Sequence, residues 1–219
     1  MSDAPAAPLS LRYRKKAKLR KTILQSARRL FLSRGYERTT LEQVCEKAET
    51  SLRTLLRYFP TKEDLALGLE SALLQDFAEA LAKLDPSTPV IMFWRDSLSE
   101  HSHDLDRKEY LAHMKFLNSV PAVAAKALAL QFQYEDLLAN RFAREAGIDP
   151  ENDMYGRLLA GMLISGTRAA GRKWVASEGK LDLAKLRTDV VDWALANFPP
   201  RAEAGRKSPA STSIRKRSN

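Results

Sequence analysis

Between Thr39 and Leu65 the sequence reads as two short helices, a tight turn and a third helix, and this unit constrains the chain more than any other segment. Thr40 followed by Gln43 is a capping-box pattern, and Leu41, Val44, Cys45 and Ala48 recur at helical spacing. Glu49-Thr50-Ser51 interrupts that pattern, and a hydroxyl of Thr50 or Ser51 can cap a second helix over Leu52 to Phe59. Pro60 stops it, because the residue before a proline is pushed out of the helical region. Thr61 with Asp64 then offers a second capping box. A short helix held at a steep angle to another can enter the DNA major groove, where base edges are legible.

On the second of these helices Leu52, Leu55, Leu56 and Phe59 form an apolar stripe, with Arg53 and Arg57 one turn apart on a polar face. Two arginines so placed suit phosphate or guanine, although taken alone the pair favours a solvated cationic face. The charge distribution weighs toward nucleic acid. Residues 1–62 hold 15 Lys/Arg against 5 Asp/Glu, a net of +10, whereas residues 63–200 hold 15 against 21, a net of −6. The basic run Arg12-Tyr13-Arg14-Lys15-Lys16-Ala17-Lys18-Leu19-Arg20-Lys21 leads into a helix burying Ile23, Ala27, Leu30 and Phe31, which Gly35 ends in a left-handed conformation. Such asymmetry is the footprint of a module that displaces counterions from a phosphate backbone.

Residues from about 15 to 65 resemble the DNA-binding domain of the TetR family of bacterial transcriptional regulators. The resemblance is carried by Ala27, Leu30, Phe31, Gly35, Tyr36, Thr39 and Thr40, then Val44 and Ala48, then Ser51, Thr54, Leu55, Tyr58, Phe59, Lys62, Glu63 and Leu65. It implies an all-α fold: an N-terminal three-helix helix-turn-helix DNA-binding domain, then a larger helical domain that dimerises and binds a small molecule. It also implies phosphate contacts from Thr40, Tyr58 and Lys62, and base or near-base contacts from Ser51, Leu52, Arg53, Thr54, Leu56 and Arg57. Two residues depart from the family pattern. Glu49 stands where glycine is usual in the turn, and Leu56 where an aromatic residue is usual, so Leu56 could touch a thymine methyl instead.

The 219 residues, 44% hydrophobic, suffice for this small domain and a larger one, with about nine helices expected in all. The expected organisation is a disordered basic arm at 1–14, a DNA-binding domain at 15–62, a regulatory and dimerisation domain at 63–200, and a disordered basic tail at 201–219. A helix from Thr61 to Leu84 links the two domains. Further helices are expected at Thr88–His103, Asp106–Ser119, Ala122–Ala146, Asp153–Ser177 and Leu183–Phe198. The sequence has no bilayer-length apolar run and no secretory hydrophobic region, so a cytoplasmic, nucleoid-associated location is expected. Cys45, the lone cysteine, reads as a small buried hydrophobe.

Small residues recur along 153–177, among them Gly156, Ala160, Gly161, Gly166 and Gly171, and suit close helix packing within one chain or between two. Given the resemblance, a homodimer interface is expected to involve Gly156, Ala160, Leu163, Thr167, Val190 and Trp193. Such a two-fold dimer presents its recognition helices about 34 Å apart, matching a palindromic site on double-stranded DNA. Candidates for lining an effector cavity are Phe93, Trp94, Leu98, His113, Met114, Phe116, Leu117, Phe132, Met162 and Trp174, although for any one of them plain core is the better reading. Arg168 beside Thr167 could meet an acidic ligand group or make a dimer salt bridge. His101, His103, Asp104 and Asp106 invite a metal reading, but no second cluster completes a site, and no metal or cofactor is expected.

Three histidines, one cysteine, no Gly-rich phosphate loop and no compact acid-base cluster argue against an enzyme. The expected function is a repressor released from its operator by a small, mostly apolar effector. The alternative is an architectural protein that coats DNA without sequence preference.

Overall fold

A computed structural model of the chain describes residues 11–103, 106–152 and 154–198. The described residues form ten helices and no strand. The first four are α1 (Leu11–Arg34), α2 (Leu41–Lys47), α3 (Leu52–Tyr58) and α4 (Lys62–Ala66). The remainder are α5 (Gly68–Ala82), α6 (Val90–His103), α7 (Arg107–Ser119), α8 (Pro121–Glu145), α9 (Met154–Ala176) and α10 (Leu183–Asn197).

The count exceeds nine because the linking helix is broken. Leu67, with φ −96° and ψ 14°, ends α4 and opens α5 without a side-chain cap. Leu67 is buried in the first hydrophobic core, so packing sets this break where no proline marks it. At the other end α1 begins at Leu11, and residues 11–14, expected in the arm, are helical. The expectations for residues 1–10 and for the tail at 201–219 lie outside the described residues.

Two cores organise the chain. The first gathers Ile23, Ala27, Leu30 and Phe31 of α1 with Val44, Cys45, Leu55, Phe59 and Leu65 of the next three helices. It also takes in Leu117, Val120 and Val123 from around the α7–α8 junction, so the N-terminal helices share their core with the larger unit rather than ending cleanly at residue 62. Phe116 of α7 stacks on Phe31 at 5.5 Å and lies 6.0 Å from Tyr36. The second core joins Phe77, Trp94, Leu138, Leu163 and Val191, contributed by α5, α6, α8, α9 and α10. Burying each such large apolar side chain contributes roughly 1.5–3 kcal/mol before the entropy of ordering is subtracted.

Candidate nucleic-acid interface

Local chemistry builds the α2–α3 unit. Thr40 caps α2 by accepting from the Gln43 N–H while the Gln43 side chain accepts from the Thr40 N–H, so the expected capping box is present. At the far end of α2 the Thr50 N–H reaches the Cys45 carbonyl at 3.0 Å and the Glu49 N–H reaches that of Glu46 at 3.2 Å. This Schellman closure requires a left-handed residue, and Glu49 supplies it with φ +51°. The turn thus keeps the geometry a glycine would give, at a strain of about 1 kcal/mol. Ser51 caps α3, accepting from the Thr54 N–H, and the Thr61–Asp64 box caps α4.

The faces of α3 are sorted differently from the apolar stripe. Leu55 and Phe59 are buried, but Leu52 and Leu56 stand exposed beside Arg53 and Arg57. Helical spacing put all four leucine and phenylalanine residues on one side, yet only two find a partner inside the protein. The exposed surface of α3 therefore carries Ser51, Leu52, Arg53, Leu56 and Arg57, with Thr54 and Tyr58 half-buried at its margins. That surface combines guanidinium donors with apolar contact atoms, the mixture base-edge reading uses.

The phosphate candidates flank this surface. Thr40 is exposed at the start of α2. The Arg57 guanidinium lies 5.6 Å from the centroid of the Tyr58 ring, and the Lys62 ammonium lies 4.1 Å from that of Tyr36. Tyr36 is fixed in turn, donating its hydroxyl to Glu63 at 2.7 Å. Burial and then the Glu63 carboxylate push the Tyr36 hydroxyl far above its ordinary range, while the same hydrogen bond holds Glu63 below the usual carboxylate range. Tyr36 was visible in the sequence as a signature residue, but its service as the platform for Lys62 was not.

Behind the interface, α4 is tied to the larger unit. Lys126 of α8 pairs with Asp64 at 2.5 Å and donates to the Thr61 hydroxyl at 3.1 Å. Arg28 of α1 pairs with Glu109 of α7 at 3.2 Å. No sequence signal marked Lys126, because 62 residues separate it from Asp64.

The effector candidates are dispersed. Trp94 and Leu98 are buried in the second core, with Phe93 and Met162 packed against that core. Leu117 and Phe116 belong to the first core, together with Met114. His113 is buried and bonded to Glu70 at 2.6 Å. Trp174 is buried with its ring 5.6 Å from Tyr110. Phe132 is 57% exposed on α8, so in one protomer it lines no interior space. A separate cavity of about 270 Å³ lies between Pro86, Ile91, Phe142, Tyr155, Leu159 and Phe198, and includes none of the candidates.

The dimer expectation needs correction in its residues. Gly156, Ala160 and Leu163 are buried within one protomer, and Val190 packs against Gly166, so the small residues serve packing inside the chain. Thr167 is half-buried. Trp193 alone of the six stands exposed, at 56%, with Met154 and Leu158 exposed on α9. Cys45 is buried as expected, and burial pushes its thiol up. The side chains of His101, His103 and Asp104 lie outside the described residues.

A capped helix-turn-helix with a basic exposed face, mounted on a helical domain, is the architecture of a DNA-binding transcriptional regulator. Residues 23–69 match the family described as bacterial regulatory proteins, tetR family, and residues 95–199 match the MftR C-terminal domain. The HTH-type transcriptional regulator TcmR of Streptomyces glaucescens is 30% identical over 212 residues, covering 87% of this chain and 92% of that one. The HTH-type transcriptional repressor KstR of Mycobacterium tuberculosis is 30% identical over 177 residues, covering 75% and 78%. The chain belongs to the TetR family of bacterial transcriptional regulators. Its fold resembles SmeT in the SmeT–triclosan complex, with a TM-score of 0.61 at 17% identity over 82% of this chain and 91% of that one. It also resembles Thermus thermophilus FadR in complex with lauroyl-CoA, with a TM-score of 0.54 at 23% identity over 88% and 98%. No described helix is long and apolar enough to cross a membrane.

Proposed function

We propose that this regulator is a repressor that binds a palindromic operator as a homodimer and is released by a small, mostly apolar effector in the larger domain. Ser51, Leu52, Arg53, Thr54, Leu56 and Arg57 read or border base edges, and Thr40, Tyr58 and Lys62 hold phosphates. The carrying observation is the exposed face of α3, where the partly exposed Leu52 and Leu56 alternate with the exposed Arg53 and Arg57. Beside the guanidinium donors, these apolar side chains supply the kind of contact a thymine methyl takes.

The dimer forms through the exposed apolar face of α9 and α10, where Met154, Leu158 and Trp193 await a partner surface. Release follows from the ties between α4 and α8. An effector that prefers an arrangement with α8 displaced moves Lys126, and with it Asp64 and the helix bearing Lys62. A preference of about 1–3 kcal/mol weakens operator binding roughly 5- to 150-fold. That related folds are seen with triclosan, and with lauroyl-CoA whose lauroyl chain is apolar, supports an effector with a large apolar part here.

The test is selection of bound fragments from a random DNA pool by the purified full chain at near-physiological salt. An enriched inverted repeat with half-sites about one helical turn apart is expected. Binding without enrichment that vanishes as salt rises would overturn the reading in favour of a DNA-coating protein.

A further inference from the structure

The first turns of α1 outrun the core and carry charge where the rest of the helix carries apolar side chains. Ten of its 24 residues are Lys or Arg and none is Asp or Glu. Seven of the ten, Arg12, Arg14, Lys15, Lys16, Lys18, Arg20 and Lys21, crowd into its first half. The one ion pair that α1 makes among the described residues, Arg28 with Glu109, lies beyond them. Leu11, Arg12 and residues 14–18 are exposed, Leu19 packs against the first core, and Ile23 is the first buried side chain along the described helix. Like charges three and four residues apart oppose a helix, so a polyanion laid along this stretch would stabilise it.

These charges sort into two faces. At about 100° per residue, Lys15, Arg12, Lys16 and Arg20 share a face about 140° wide, the same face that turns Leu19 and Ile23 toward the core further along. Arg14, Lys18 and Lys21 fall on the opposite face. Arg20 shows what the first face overlooks. Its guanidinium lies 5.4 Å from the centroid of the Phe59 ring, and its Nη2 donates to the Gly68 carbonyl at 3.3 Å. Phe59 directly follows α3, and its ring lies 6.4 Å from that of Tyr58, a phosphate candidate. Lys16 and Arg12 continue the Arg20 row for about 12 Å into solvent beside the C-terminal end of α3.

We propose that Arg12, Lys15 and Lys16 hold backbone phosphates flanking each half-site, outside the base pairs that α3 reads. This deepens the operator reading above and rests on it. The inward face of an amphipathic helix is apolar where protein covers it, and here that face turns basic at the point where the protein ends, so the surface it suits is an anionic one. Tyr58 and Lys62 place the nearest such surface, the DNA backbone, beside the same end of α3. Phosphate contacts carry no sequence information, so these residues lengthen the footprint and raise affinity without changing which bases are read.

Fluorescence anisotropy of the full chain on its selected operator tests the assignment, with duplexes that end at the half-sites or carry about ten further base pairs of unrelated sequence, one helical turn, at each end. The longer duplex is expected to bind about tenfold or more tightly near physiological salt. In a variant with Arg12→Gln, Lys15→Gln and Lys16→Gln together that gain should vanish, and the slope of log affinity against log salt should fall by about 0.9 for each phosphate lost, roughly 5 for a dimer. A second variant with Arg14→Gln, Lys18→Gln and Lys21→Gln removes the same charge from the opposite face and should keep the gain. Glutamine forms helix about as well as lysine or arginine, and circular dichroism checks that both variants keep theirs. No gain from the flanks, a gain that survives the first variant, or equal losses in both variants would overturn the proposal. A selected operator whose affinity is indifferent to its flanks removes the flanking contacts alone, whereas failure of the unmodified chain to select any operator removes the regulatory reading itself.

Discussion

The Lys126 ammonium on α8 lies 2.5 Å from the Asp64 carboxylate on α4, joining the helix that carries Lys62 to a long helix of the larger helical domain. Both groups are about one-third exposed, so the pair contributes no more than about 1 kcal/mol. Its importance is positional. Lys126→Met should lower operator affinity about 2- to 5-fold and reduce the response to effector, as measured by fluorescence anisotropy on a labelled operator. Unchanged affinity and unchanged response would show that α4 is placed by packing alone.

Acid should weaken the same junction. Burial by itself raises the Asp64 carboxyl, but hydrogen bonds from Lys126 and Thr61 outweigh it and hold it below the usual range, and the Tyr36 hydroxyl does the same for Glu63. A carboxyl depressed in the folded state contributes stability that is present above its unfolded value, about 3.9 for Asp and about 4.3 for Glu. That contribution is lost as pH falls through the lower folded value. Denaturant unfolding should therefore show stability declining below about pH 4, less steeply when Lys126→Met and Tyr36→Phe are combined. An identical decline in the double variant would remove these groups as the cause.

Arg53 and Lys62 should separate by role. Arg53→Ala is expected to cost about 1–3 kcal/mol on the operator and little on random DNA, whereas Lys62→Ala weakens both about equally. Equal losses for Arg53→Ala would take it out of the base-reading set.

Glu49 holds a left-handed conformation in the turn before α3. Glu49→Gly should raise stability by at most about 0.5 kcal/mol, since relief of about 1 kcal/mol of strain is largely offset by the roughly 0.5–1 kcal/mol of added freedom in the unfolded chain. It should also strengthen binding to any DNA at low salt by removing a negative charge. A loss of stability would mean that the Glu49 side chain makes a contact worth more than the strain.

The dimer face is tested by charge. Leu158→Asp and Trp193→Asp place carboxylates in the exposed apolar surface of α9 and α10 and should yield monomers in sedimentation velocity, with operator binding lost. Dimers that persist in both variants would place the interface elsewhere.

What the sequence discloses about this fold is mostly local. Thr40 with Gln43, and Thr61 with Asp64, are three residues apart, so their caps follow from the spacing alone. Pro60 and Gly35 act on their immediate neighbours in the same way. What escaped was set by contacts between distant segments. Period alone cannot tell that Leu55 is buried while Leu56 faces solvent, because the neighbours that decide it come from other helices. The break at Leu67 carries no cap and is stabilised by burial in the first core. Gly156 and Ala160 read equally well as inner or outer packing positions, and the fold turns them inward. Lys126 and Asp64 meet only once α8 has returned to α4.

The most direct measurement of the central claim is the ratio of affinities of the full chain for its selected operator and for a scrambled duplex of the same length, followed from low to near-physiological salt. The account predicts a ratio of about 10³ or more that persists as both affinities fall, because phosphate contacts weaken with salt and base contacts do not. A ratio that stays near one at every salt concentration would contradict it, leaving α3 a basic helix that holds DNA without reading it.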